Sequence, residues 1–431
     1  MQLNRTIAPT IHLAENFDIP RAKEFIMNNG TKLLVINNGD VDVCRLDIIF
    51  EAGSKYQQKK LQAMGSMSLM TEGTNNYTSK QISEHFDFWG SFVNTGANKD
   101  FARVTATSLT KYLPQTLSML EEVVMQPSYP DIELKVWSRK GKQTLRIEMD
   151  KTSTLARMEF FKQIFGENHP YGMFAVPNDY DLVTNDDFKA FHASQLGSTN
   201  ATIFLSGKIS NNETDLVKNY FGEKVWGNAS KNIHSEIDKG TLNPGQFFVE
   251  KPNAVQSAVH VGRQLFPRNH PDYPEMMIVN TILGGYFGSR LMKNIREDKG
   301  YTYGINSYVG SLYHSGFFII FTEVGAKHTQ NTLKEIRIEL QRLREEPVTE
   351  EELEHVRRYI IGDMLRSFNG PFAIADNILS LHNFNNMDYS FYQRVIDAVK
   401  NINPQRIMEL SRKWLNPESL VECVSGSKNP F

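Results

Sequence analysis

Two stretches of this chain stand in for one another at a fixed distance. Glu133-Leu134 follows Pro127-Ser128-Tyr129-Pro130-Asp131, and Glu352-Leu353 follows Pro347-Val348-Thr349-Glu350-Glu351. The pairs lie 219 residues apart (133 to 352), and Arg139 and Arg358 share that offset. One long period in 431 residues points to two copies of one domain, because a solenoid repeats every 20–50 residues. The length agrees, since a single hydrophobic core stops growing well below this size.

The order of elements repeats as well. In the first copy, 24–36 and 43–50 read as strands joined by a turn at Asn37-Asn38-Gly39-Asp40 with hairpin chemistry. A Met-rich helix follows over 61–70, then a helix over 79–89 with Ser79 as its cap and Ile82, Phe86 and Trp89 at helical spacing. A hairpin is expected over 91–94 and 101–108, helices over 113–124, 130–150, 156–166, 186–191 and 214–225, and a buried strand over 201–206. In the second copy, strands are expected at 247–251 and 255–263, a helix at 271–283, strands at 303–309 and 316–324, and helices at 329–344 and 349–368. The stretch 227–245 is polar, rich in Asn, Ser, Lys, Gly and Pro, and reads as a linker. Hairpins interleaved with helix pairs, without a βαβα rhythm, predict an α+β fold. It consists of two homologous domains (1–226 and 246–431), each a mostly antiparallel sheet packed with helices.

Composition removes several classes. With 22% charged residues and a net charge of −2, there is no basic footprint for nucleic acid. The two cysteines, Cys44 and Cys423, allow neither a disulfide framework nor a zinc ribbon. The first twenty residues carry Asn4, Arg5, Glu15 and Asp18 and no apolar run, so no secretory signal is read there. No segment reaches the roughly 20 apolar residues that a membrane span requires. The expectation is a cytoplasmic protein, with no nucleic-acid and no membrane partner.

Five segments together resemble the M16 (pitrilysin-like) zinc peptidase family across nearly the whole chain. They are Glu72-Gly73-Thr74, Asn168-His169-Pro170-Tyr171-Gly172, residues 201–207, Tyr220-Phe221-Gly222 and the glycine-rich run from Gly284 to Gly304. The resemblance implies the two-domain architecture already read, and an inverted zinc motif, His-x-x-Glu-His, on the helix before Glu72. Two His at i and i+4 share one helix face and grip a zinc ion, while the Glu activates its water. In this chain Met64 and Ser68 occupy the histidine positions and Met67 the glutamate position. None of the three is a fitting donor or base. No two of the eleven histidines stand four apart, so the motif occurs nowhere else. The distal glutamate ligand of the family falls near Leu145, with Glu148 close by.

A second family signature, an Arg followed seven residues later by a Tyr, is present as Arg296 and Tyr303, with Tyr301 as a rival for the latter. The resemblance implies that they bind substrate backbone and stabilise the transition state opposite the zinc of another domain. The chain is therefore expected to be a non-catalytic subunit with no catalytic residue, metal or cofactor of its own. It would pair with a homologous subunit that holds the zinc, and a homodimer in isolation stays open. The alternatives are a structural or peptide-binding protein without proteolysis, which the edge strand at 94–97 would serve, and an independent metallopeptidase with unrecognised ligands. Bland readings are kept for the rest. The Gly284-Gly285 run is a packing or hinge element rather than a phosphate cradle. His169 and His260 are core or loop residues, Met64, Met67 and Met70 are a core stripe, and 347–358 is a solvated charged face.

Overall fold

A computed structural model describes residues 19–229, 240 and 242–431. The first half runs β1 (Lys23–Ile26), β2 (Lys32–Asn37), β3 (Val43–Phe50), α1 (Gln62–Leu69), α2 (Ser79–Phe88), β4 (Phe92–Ala97), β5 (Ala102–Leu109), α3 (Leu113–Met125), α4 (Asp131–Met149), α5 (Thr152–Phe165), α6 (Asn185–Gln195), β6 (Ala201–Gly207) and α7 (Asn211–Phe221). The second runs β7 (Gly245–Glu250), β8 (Gln256–Leu265), α8 (Tyr273–Asn280), β9 (Ile305–Ser311), β10 (Gly316–Gly325), α9 (Thr329–Glu345), α10 (Glu350–Ser367), α11 (Pro371–Asn385), α12 (Ser390–Asn401), α13 (Pro404–Trp414) and β11 (Val421–Gly426).

The two sheets are ordered β1-β2-β6-β3-β5-β4 and β7-β11-β8-β10-β9. Without β1, the orders correspond strand for strand, down to one parallel pair in each, β2 with β6 and β7 with β11. The α+β architecture with mostly antiparallel sheets is thus present twice. Glu133-Leu134 and Glu352-Leu353 fall on α4 and α10, each the second helix after its sheet's edge hairpin, β4–β5 and β9–β10.

Several local expectations are corrected. The stretch 24–36 is two antiparallel strands, because the chain turns at Asn28-Asn29-Gly30, where Met27 N–H bonds to Thr31 O at 3.0 Å. The turn at 37–40 does not close a hairpin. β6 lies between β2 and β3, and its run Ile203-Phe204-Leu205, apolar on both sides, suits a strand covered on both faces. α2 is capped by Thr78, whose hydroxyl and Gln81 form a reciprocal capping box, and not by Ser79. β7 starts at Gly245, inside the stretch read as linker, whose residues 230–239 and 241 lie outside the described ones, as do residues 1–18. Helices α11, α12 and α13 and strand β11 were not anticipated.

The halves exchange helices. One face of the first sheet (Leu33, Val35, Leu46, Ile48, Ile203) packs with Leu117, Leu120 and Val217 of α3 and α7. The other face (Leu34, Ile36, Phe204) joins Ile374, Ile378 and Leu381 of α11, from the second half. In return α5 lays Phe160, Ile164 and Phe165 against Ile319, Val421 and Cys423 of the second sheet. Each such side chain contributes on the order of 2 kcal/mol by leaving water.

A buried carboxylate ties the same seam. Asp100, in the β4–β5 turn and 3% exposed, pairs with Lys55 Nζ at 3.0 Å and accepts from Tyr171 OH at 2.7 Å and from Tyr313 N–H, in the β9–β10 turn, at 3.0 Å. Lys55 is equally buried, and burial holds its pKa below the usual lysine value. Removing one member of such a pair strands the other charge without solvent. Asp100→Ala is therefore expected to lower the unfolding free energy by about 3–5 kcal/mol, read from urea unfolding. Asp100→Ala together with Lys55→Met should recover part of that loss. A loss below about 1 kcal/mol in the single variant would show that the seam does not depend on this carboxylate.

Candidate functional site

Beyond α8 the backbone continues through Thr281–Gly285 and, after a turn, Met292–Asp298, both wound with wide i→i+5 bonds. Such wide turns recur at functional sites. Gly284 is required by packing, since a Cβ there would lie 2.7 Å from Ser307 N on β9. Gly300 ends the second wide turn with φ +65°, a left-handed conformation that favours glycine. Leu291, Met292 and Ile295 point into the core, which turns Arg296 outward.

Arg296 is held by rings. Its guanidinium carbon lies 4.7 Å from the Phe287 ring centroid and 5.3 Å from that of Tyr303. Its neighbours Arg290 and Lys299 pair with Glu352 and Glu335, whereas among the described residues no carboxylate pairs with Arg296. Two exposed cation–π contacts contribute about 0.5–1 kcal/mol each and use none of the five N–H donors. Tyr303 is 92% exposed and precedes β9 instead of belonging to it, contrary to the expected strand start. Its loop is pinned where Thr302 Oγ1 donates to Glu323 O at 2.8 Å and Thr322 Oγ1 donates to Gly304 O at 2.8 Å. The rival Tyr301 stacks on His328 at 4.6 Å, which leaves Tyr303 as the projecting phenol. Phe287 is the partner that the sequence reading missed. It lies in the glycine-rich run, but only the folded turn brings it over Arg296.

Tyr303 stands on the rim of a cleft of about 960 Å³ between the halves. One wall is the α4–α5 junction with Glu148, Lys151 and Arg157, and the floor is the second sheet with His260, Asn306 and Phe321.

The helix of the degenerate motif lies elsewhere in the first half. Met64 is exposed, Met67 is 0% exposed within the apolar core, and Ser68 is half-buried. Met67 O accepts from Thr95 Oγ1 at 2.7 Å, which holds α1 against the edge strand β4. One thioether in solvent, one in the core and a hydroxyl do not fit a zinc ion. Leu145 packs among Tyr180 and Phe188, and Glu148 pairs with Lys151 at 2.7 Å. Among the described residues no three His, Cys, Asp or Glu side chains are gathered so as to hold a metal. No described helix is long and apolar enough to cross a membrane.

Two repeated sheet-and-helix units with exchanged helices define the class of protein, and the comparisons give the family. Residues 32–165 match the model described as insulinase (peptidase family M16), and residues 182–360 match the model described as peptidase M16 inactive domain. The chain belongs to the M16 peptidase family. An "uncharacterized zinc protease YmxG" of Bacillus subtilis is 21% identical over 94% of this chain and 99% of its own length. A "probable inactive metalloprotease YmfF" of the same organism is 18% identical over 62% and 63% of the two chains. A crystal structure of a "peptidase M16 inactive domain" from Pseudomonas fluorescens superposes with a TM-score of 0.84 at 23% identity, covering 95% of this chain and 98% of that one, which establishes likeness of fold.

The donor set at Met64, Met67 and Ser68 makes a direct prediction. After dialysis, elemental analysis of the purified chain is expected to find far less than one zinc per molecule. A stoichiometric zinc would mean that ligands outside this helix assemble a site.

Proposed function

We propose that this chain is the non-catalytic subunit of an M16-type zinc peptidase, and that it supplies Arg296 and Tyr303 for peptide binding to a homologous, zinc-bearing partner. The observation that carries this reading is the state of Arg296. A guanidinium held by two ring faces, with its N–H donors unpaired among the described residues and an exposed phenol beside it, is organised for an acceptor that the described residues do not provide. A peptide carbonyl, or the oxyanion that develops from it, is such an acceptor. The degenerate helix α1 accords with a division of labour in which metal chemistry resides in the partner, where a bound zinc supplies the activated water and a Lewis acid. One relative's name, "probable inactive metalloprotease", is consistent with that division.

A second reading is a peptide-binding protein without proteolysis. It draws on β4, the last strand of its sheet, whose residues alternate between exposed and half-buried. An extended peptide can add to such an edge through backbone hydrogen bonds.

The readings separate in the assembled pair, made with a homologous chain that carries the His-x-x-Glu-His helix. Arg296→Ala and Tyr303→Phe are each expected to lower peptidase activity roughly 100-fold, as loss of an oxyanion donor does. Their thermal midpoints should stay near that of the parent, because Tyr303 is exposed and Arg296 makes no ion pair among the described residues. Unchanged activity in both variants would remove the proposed role, and absence of activity in every pairing would favour the second reading.

A further inference from the structure

Helix α5 covers the second sheet over β11, β8 and the Ile319 end of β10, through Phe160, Ile164 and Phe165. Toward Phe321 and Glu323 of β10 and Asn306 of β9 the same face opens into the cleft. The strand register sets His260 opposite both Cys423 and Phe321, and Phe321 opposite Asn306, so Asn306, Phe321 and His260 form one row across the floor. Glu323 stands two residues beyond Phe321 on β10.

His260 is the unusual member. It is 6% exposed, its ring lies between those of Phe160 and Phe321, each 6.3 Å away, and its Nδ1 has no hydrogen-bond partner among the described residues. Nδ1 itself is sealed from solvent, so a group in the cleft meets the accessible edge of the ring instead. Burial first, and the Arg157 charge second, push the His260 pKa down to about 4, so the ring is neutral at physiological pH, with one N–H and one lone pair. Arg157 itself is exposed on the cleft wall, and among the described residues no carboxylate pairs with it. The remaining charges are Glu148 and Lys151, which pair with each other at 2.7 Å, and Glu323. The cleft therefore has a cationic wall at Arg157 and an anionic side at Glu323.

We propose that this cleft is a carboxylate subsite for bound peptide. The acid group lies on the Arg157 guanidinium beside the accessible edge of the His260 ring, and the adjoining side chain rests on the half-exposed Phe321 ring. The proposal rests on the peptide-binding role argued above and names the chemistry selected there. A guanidinium fork matches a carboxylate in geometry and charge, and a neutral imidazole N–H adds one donor without a second positive charge. Glu323 repels a further acid and so orients the ligand. A C-terminal carboxylate and an Asp or Glu side chain offer the same group.

The test is fluorescence anisotropy on the full chain with three short labelled peptides built on one neutral parent sequence. One has a free C-terminal acid, one a C-terminal amide, and one an amide plus an internal Glu. At least one acid-bearing peptide is expected to bind roughly tenfold more tightly than the neutral amide. Arg157→Gln should remove that preference and leave affinity for the neutral peptide unchanged. Which acid peptide is preferred identifies the source of the carboxylate. His260→Phe, which keeps the ring stack but not the imidazole nitrogens, should reduce the same preference, and no change there overturns the imidazole contact. Equal binding of all three peptides, or a preference that survives Arg157→Gln, overturns the subsite while the role of Arg296 and Tyr303 stands. Failure of every peptide to bind also overturns the subsite, and the Arg296→Ala assay in the assembled pair then decides separately on that role.

Discussion

Asp100 gathers into one buried point three parts of the chain that are distant in sequence. Its carboxylate receives Lys55 after β3, Tyr171 after α5 and the Tyr313 backbone in the β9–β10 turn. The Tyr171 hydroxyl also accepts from His314 N–H at 3.4 Å, so the turn of the second half is held twice. Burial, with the Asp100 charge beside it, pushes the Tyr171 pKa far above the usual phenol value, so Tyr171 stays a donor. Lys99 adds a brace by donating to Pro170 O at 2.9 Å and Met173 O at 2.6 Å, and burial lowers its pKa to about 8. A charge removed from water in this way is tolerable only when all its partners are in place, so the seam closes in one arrangement.

That seam fixes which faces the helices can cover. With the β4–β5 and β9–β10 turns joined, α5 falls on the second sheet and α11 on the first. A second ionic cluster secures α11. Asp47, almost fully buried, pairs with Arg45 at 2.9 Å and Arg103 at 2.8 Å, and both arginines reach Asp376 on α11. His382, farther along α11, hydrogen-bonds Thr202 Oγ1 on β6 at 3.1 Å. The exchange leaves the face around Asn306, Phe321 and Glu323 open, and the cleft under Tyr303 is that uncovered part.

Around the cleft, rigidity and availability are divided among neighbouring residues. The 301–304 loop is tethered by Thr302, Thr322 and the Tyr301–His328 stack, so the exposed phenol projects from a fixed backbone. Arg296 is oriented by ring faces, which position a cation while leaving its hydrogen-bonding edge open. The opposite holds at α1. Met67 is sealed in the core and Gly65 allows close approach of Phe188 and Trp137, so this helix packs as an ordinary structural element.

By itself the sequence determined the duplicated α+β plan, because period, apolar runs and turn residues act locally and survive in one dimension. It also determined the missing donors at Met64, Met67 and Ser68, since a thioether is a poor zinc ligand in any fold, and it located the segment that carries Arg296 and Tyr303. It did not determine strand order. A strand equally apolar on both sides, such as β6, gives no sign of the pair it will separate, and the hairpin inferred at 37–40 failed for that reason. Nor did it show the ring contacts of Arg296 or that Arg157 and His260 line one cleft. Residues 157 and 260 share that cleft only because a helix of one half lies on the sheet of the other, and that placement follows from the buried Asp100 seam, whose members stand at 55, 100, 171 and 313.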